Sequence, residues 1–176
     1  MKTLNFLIVA LILFAGCRKE KTDSYSISGV AQKGPFSQGS KVTVYELNDK
    51  LEQTGKVFKT ETTDDFGAFE LNDMLLTSSW VQVEVEGSYY DELWGAFSGG
   101  LISLSNIVDL NKGNVVNVNL LSDLSKLRLR YLVKNGTHFN AARTQSEMEV
   151  MQSFGLDSFY VAGSENLDIT SGTDAG

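Results

Sequence analysis

Trp80-Val81-Gln82-Val83-Glu84-Val85-Glu86 is the stretch that decides the fold. A period of two puts Val81, Val83 and Val85 on one side of an extended chain and Gln82, Glu84 and Glu86 on the other, as in a strand with one buried face. A helix would scatter the same valines around its circumference. The text on both sides has the same character. Lys41–Leu47 alternates with Val42 and Val44 on one face, and Asn48-Asp49-Lys50 turns the chain. Tyr25-Ser26-Ile27-Ser28 reads as a first strand, followed by a loop holding Gly34-Pro35-Phe36 and Gly39. Val57–Thr62 and Ala68–Leu71 flank Thr63-Asp64-Asp65-Phe66-Gly67, expected as a hairpin turn with glycine at positive φ. Leu101–Leu110 and Val115–Leu121 are the remaining strand candidates. Short strands at this spacing predict an antiparallel β-sandwich over residues 25–121.

The period then changes to 3.6. Leu120, Leu121, Leu124, Leu127, Tyr131 and Leu132 project onto one helix face, with Ser122 or Asp123 placed to cap its start and Asn135-Gly136 to end it. A second helix is expected from Phe139 to Phe154, with Thr137 or Asn140 near its start and Gly155 after its end. Its apolar stripe (Phe139, Ala142, Val150, Met151, Phe154) is interrupted by Arg143 and Ser146. The fold class is therefore mainly β with C-terminal helices, residues 122–155 forming the helical segment. Residues 156–176 are weakly patterned and read as a tail or a truncated continuation.

The beginning of the chain carries an address. Met1-Lys2-Thr3 precedes an apolar run from Phe6 to Ala15, then Gly16-Cys17 and Arg18-Lys19-Glu20. This is the plan of an export signal over residues 1–16, and the run is about half of what a membrane-crossing helix needs. Phe14-Ala15-Gly16-Cys17 resembles the lipobox of bacterial lipoproteins, with Phe14 where Leu is usual. The resemblance implies cleavage before Cys17 and acylation of its thiol. Cys17 is also the only cysteine, so an intramolecular disulfide is excluded and lipid attachment accounts for an otherwise unpaired thiol. Acyl chains at about 0.8 kcal/mol per buried methylene would tether the protein firmly, with residues 17–24 as a solvated link. Removing residues 1–16 takes away Lys2 and no acid, leaving 14 basic side chains against 22 acidic ones. That balance repels phosphate backbones and excludes a broad nucleic-acid surface.

Two further stretches carry a resemblance. Thr63-Asp64-Asp65-Phe66-Gly67-Ala68-Phe69-Glu70-Leu71 resembles the turn-and-strand signature of carboxypeptidase regulatory-like domains, which are transthyretin-like β-sandwiches. Ser28–Phe36, Gly39–Leu47 and Val116–Leu124 are similar to an uncharacterised group of Gram-negative surface lipoproteins in which helices follow the sandwich. The resemblance covers about residues 25–155. It implies a fold and an exported setting; such domains carry no peptidase site, and it assigns no catalytic residue.

Candidate sites are few. His138 is the only histidine, so neither a zinc set nor a Ser-His-Asp arrangement can be assembled convincingly around it, and a helix-end position is the better reading. No phosphate-cradling loop is present. Asp64-Asp65 could supply half of a calcium site, but Asx residues favour turns for backbone reasons alone. Lys41, Glu84 and Asn119 have the residue types of an isopeptide crosslink without any spacing that brings them together. Arg128, amid leucines, could be a buried ion-pair partner, but a side chain that snorkels past the apolar face with its head in water is the better reading. Tyr89-Tyr90-Asp91-Glu92-Leu93-Trp94, followed by Phe97 and Gly99-Gly100, is the main surface candidate. Tyr89, Tyr90 and Trp94 beside carboxylates could stack on a sugar or grip a peptide, although aromatic residues more often fill cores.

These observations lead to one expectation and one rival. The expected protein is a non-enzymatic exported lipoprotein module with no catalytic residues, metal or cofactor. It would be anchored through Cys17, at the outer membrane facing periplasm or cell surface, and would serve either for binding, with a glycan or protein as the ligand, or as a scaffold that holds other domains away from the membrane. The rival is an N-terminal accessory module of a larger, polysaccharide-degrading enzyme truncated after Gly176.

Overall fold

The computed structural model describes residues 21–155; the expected leader, Cys17 and residues 156–176 lie outside them. The described chain runs β1 (Asp23–Gln32), β2 (Lys41–Leu47), β3 (Gln53–Glu61), β4 (Ala68–Leu76), β5 (Trp80–Gly87), β6 (Tyr90–Asp91), β7 (Ala96–Phe97), β8 (Ile102–Asp109), β9 (Val118–Asn119), α1 (Leu120–Lys134) and α2 (Phe139–Ser153). A four-stranded sheet in the order β3-β2-β5-β8 faces a three-stranded sheet in the order β4-β1-β9, and β6-β7 form a separate small hairpin. The β-sandwich followed by two helices is the expected fold class. Val81, Val83 and Val85 are fully buried, as their alternation requires, and they meet Val42, Val44, Ile27, Phe69 and Met74 in the inter-sheet core.

The Thr63–Gly67 turn is not a hairpin. Its flanking strands pair with different partners, β3 with β2 and β4 with β1, so the turn carries the chain from one sheet to the other. Asp64 Oδ1 accepts the N–H groups of Phe66 and Ala68, both at 3.0 Å, and Thr63 N–H donates to Ala68 O. Gly67 has φ +79°, and a Cβ there would lie 2.2 Å from Ala31 O on β1. Glycine is therefore required twice over, by conformation and by the close approach. Sequence spacing finds such a turn but does not distinguish a hairpin from a corner between sheets.

The second correction concerns Val115–Leu121. Only Val118–Asn119 is a strand, pairing in parallel with the end of β1, and Leu120 is already helical. The cap is Asn119, whose side chain accepts Ser122 N–H at 2.9 Å while Ser122 Oγ accepts Asn119 N–H, a reciprocal capping box. Asn135 and Gly136, the latter at φ +89°, end α1 as expected.

The helices form a third layer on the outer face of the four-stranded sheet. The buried side chains there are Leu47, Leu51, Ile107, Leu129, Leu132, Phe139 and Ala142, with Trp80 stacked on Phe139 at 5.8 Å. The face that α1 turns to the sheet is not the expected leucine stripe. It buries Ser122, Ser125, Leu129 and Leu132, leaving Leu120, Leu124, Leu127 and Tyr131 exposed. The reason lies in the sheet, whose outer face carries Gln82, Glu84 and Ser105 beside Ile107. The first turns of α1 answer polar with polar: Asp123 Oδ1 accepts Ser105 N–H at 2.8 Å, and Ser122 Oγ donates to Ser105 O. Farther along, Arg130 donates to Leu51 O and, at 2.7 Å, to Gln82 Oε1. That bond steadies Leu51, a buried residue held at φ +60°.

Candidate functional site

The segment between β5 and β8 leaves the sheet after Gly87 and returns at Ile102, two residues that pair with each other. The excursion between them is the aromatic segment singled out in the sequence. Its base is held by the loop after β1: Phe36 bridges Tyr89, Tyr90 N–H donates to Pro35 O at 2.8 Å, and Ser37 N–H donates to Ser88 O. A Cβ at Gly34 would lie 2.2 Å from Tyr90 O, so this loop needs glycine to reach the hairpin. Ser88 Oγ donates to Ser98 O at 2.7 Å, and Tyr89 and Ser98 exchange a second bond from Ser98 N–H to Tyr89 O.

The tip is equally constrained. Asp91 Oδ1 accepts Leu93 N–H at 3.0 Å and Trp94 N–H at 3.3 Å, and Gly95, at φ +64°, donates its N–H to Asp91 O. This Asx turn fixes the backbone from which Leu93 and Trp94 project. Leu93 is 94% exposed and Trp94 83%. Tyr90 and Phe97 lie behind them, edge to face at 5.7 Å and partly exposed, and Leu101 is exposed at the return. Neither Leu93 nor Trp94 belongs to a core cluster. Exposed apolar side chains gathered on one rigid element mark contact surfaces more often than scattered ones do.

The candidate residues divide between the hairpin and its base. Tyr90 and Trp94 share the exposed hairpin, whereas Tyr89 is half-buried, packs on the sandwich core and carries the Lys33 ammonium 4.0 Å over its ring. Leu93, inside the stretch singled out in the sequence, is exposed beside Trp94, although an exposed aliphatic residue has no spacing signature that marks it as a contact. Glu92 adds an exposed carboxylate at the tip.

The other candidates occupy structural positions. His138 is the exposed N-cap of α2 and makes no side-chain cap bond. The Asp65 carboxylate accepts Gln38 N–H at 2.9 Å, so both acids of the Asp64-Asp65 pair serve turn backbone. Among the described residues, no group of three or more His, Cys, Asp or Glu side chains is placed to hold a metal ion. Lys41 is exposed at the start of β2 while Asn119 is buried as a helix cap, so the crosslink trio does not share one buried environment. Arg128 is an ion-pair partner at the surface, bonded to Glu149 at 2.6 and 2.9 Å. The bond to Glu149 holds the Arg128 guanidinium above, and the Glu149 carboxyl below, their ordinary ranges.

Two polar arrangements had no sequence signal. Lys126 Nζ lies 3.1 Å from Ser105 Oγ, a spacing that in a cleft would suit nucleophile activation. Ser105 is 1% exposed beneath α1, however, and both groups also bond Asp123 Oδ1, so the trio locks helix to sheet. Glu46 lies fully buried at the edge of the inter-sheet core, held by Thr77 and Lys56. Among the described residues, no helix is long and apolar enough to cross a membrane. Comparison with protein-family models, with curated proteins and with solved structures finds no match to this chain.

Proposed function

We propose that the protein is a lipid-anchored, exported, non-enzymatic binding module, and that the β6-β7 hairpin is its contact site for a glycan or protein ligand. The observation that carries this reading is the near-complete exposure of Leu93 and Trp94 on a hairpin fixed at both base and tip. A tryptophan held this way offers a flat apolar face at little conformational cost on binding, the property shared by sugar-stacking platforms and interface anchors. The placement of the two ends of β1 supports it. Asp23, at the start, pairs with Leu76; Gln32, at the finish, lies beside Pro35 and the hairpin base. Ten extended residues span about 30 Å, so a tether entering at Asp23 and the hairpin occupy opposite poles of the sandwich. A domain anchored through Cys17 would hold Trp94 away from its own membrane. The lipoprotein resemblance of residues 14–17 and of the sandwich segments supports the exported setting, facing periplasm or cell surface.

Two measurements test the proposal. Cys17→Ser should move the protein from the membrane fraction to the soluble one, and retention in the membrane would refute acylation. Binding to an oligosaccharide array should fall at least tenfold for Trp94→Ala, the effect of losing about 1.4 kcal/mol or more. Tyr90→Ala should weaken it less, because that ring is partly covered by Phe97. Array binding that survives both substitutions would remove the hairpin from the site. An array that binds no wild-type protein would leave the protein-ligand arm, read by the same two variants in crosslinking on intact cells.

A further inference from the structure

The leucine stripe that α1 withholds from the sheet is a surface in its own right. Leu120, Leu124, Leu127 and Tyr131 are spaced by four, three and four residues, the repeat of the a and d positions along a two-helix seam. Leu127 is 71% exposed and Tyr131 58%, and Met148 on the neighbouring α2 is 52% exposed. The stripe lies opposite Leu129, the most deeply buried leucine of α1, so it forms the outermost surface of the helical layer. Charge flanks it on both sides, with Arg128 bonded to Glu149 on one and Lys134 on the other. A narrow apolar stripe between charged borders fits a second helix better than a flat lipid surface.

We propose that this face is the interface between two copies of the chain, with α1 packing antiparallel on α1 of a second copy about a two-fold axis near Leu124 and Leu127. An isologous contact uses one patch twice, so each residue of the stripe meets the stripe of the other copy. The exposed apolar side chains offer on the order of 500 Å² per copy, about the largest patch that ordinary monomers leave bare. Two such patches bury about 1,000 Å² in total, the lower bound for a specific association. The dimer is therefore weak, and it is favoured where the chains are crowded together.

The test uses the full chain in its own membrane, where the wild type supplies the control for Cys17. Leu127→Cys treated with a short bis-maleimide should give a crosslinked species at twice the mass of the uncrosslinked protein in the same membrane. Lys59→Cys, exposed on the edge strand β3 and outside the α1 stripe, measures chance encounters and should give little. Adding Leu124→Glu to Leu127→Cys should reduce the dimer about tenfold without lowering the amount of protein, since Leu124 is itself half-exposed. Equal yields from Leu127→Cys and Lys59→Cys, or a dimer indifferent to Leu124→Glu, would overturn the proposal. So would a Leu127→Cys thiol closed to a monofunctional maleimide without dimer formation, which would show the stripe covered within one chain. A crosslinked band of another mass would assign the face to a different protein and overturn it equally.

Discussion

Replacing Glu46 by Gln tests how the sandwich tolerates a carboxylate at the edge of its core. Glu46 follows Val42 and Val44 on the inner face of β2 and is fully buried. Its oxygens accept Thr77 N–H at 2.8 Å and Thr77 Oγ–H at 2.7 Å, and the Lys56 ammonium lies 3.3 Å away. Burial alone would raise the pKa of this carboxyl. Bonds from the Thr77 hydroxyl and N–H, with help from Thr54 and Lys56, outweigh burial and hold it below the ordinary value of 4.5. Gln keeps the volume but exchanges one acceptor oxygen for an N–H₂, which faces either the Thr77 N–H and the Lys56 ammonium, both donors, or the Thr77 hydroxyl, which must then give up its own donation to position 46 and accept. Hydrogen bonds to a charged group contribute about 1.5–3 kcal/mol each, and an orphaned buried donor costs about 1–3. The substitution should therefore cost about 2–4 kcal/mol at pH 7. The native state prefers the ionised form, so this stabilisation is complete above pH 4.5 and fades as pH falls through the folded-state pKa. Gln cannot titrate, and the gap between the two proteins should shrink at low pH. Urea unfolding followed by circular dichroism at pH 7, 5 and 3 measures it. A variant as stable as wild type at pH 7, or a gap unchanged at pH 3, would refute the reasoning.

Two further substitutions address single joints of the fold. Gly67→Ala combines a left-handed backbone at φ +79° with a Cβ 2.2 Å from Ala31 O, and should lower the urea midpoint by the equivalent of about 2–4 kcal/mol. Phe139→Ala removes the ring stacked on Trp80 at 5.8 Å from a position 5% exposed. It should cost about 3–5 kcal/mol and red-shift the Trp80 fluorescence when measured in a Trp94→Ala background.

What could be read from the sequence was local, and what could not was the choice of partner. β2 and β5 were legible almost residue for residue because each has one buried face, which writes a period of two. The Thr63–Gly67 turn was legible as a turn, but the sheet to which β4 returns depends on Ala31, distant in sequence. The α1 stripe was visible and its direction was misjudged. A helical projection ranks faces by their own hydrophobicity, whereas the sheet beneath α1 is polar near Ser105 and apolar only near Ile107, so the winning face is the one that matches it. Tyr90 and Trp94 were found because aromatic residues in a Gly-rich loop stand out; Tyr89 belongs instead to the hairpin base.

The hairpin's independence from both cores bears on how a binding module of the proposed kind would change its ligand. Leu93 and Trp94 contribute to neither buried cluster, while their backbone is fixed by the Asp91 carboxylate and the Ser98 hydroxyl, which accept main-chain N–H groups, and by the close approach of Gly34, none of which depends on the side chains at positions 93 and 94. Substitution at positions 93 and 94 should then alter recognition at almost no cost in stability, typically within about 0.5 kcal/mol. Substitution at Asp91 should do the opposite, loosening the tip by loss of its two N–H acceptor bonds while leaving the apolar surface in place. A binding pole of the kind proposed would separate the chemistry of contact from the work of folding. The same separation makes the assignment testable, because Trp94→Ala and Asp91→Ala should weaken binding by different routes. The first lowers affinity with the hairpin's amide exchange unchanged. The second lowers affinity only in proportion to the exchange it unlocks.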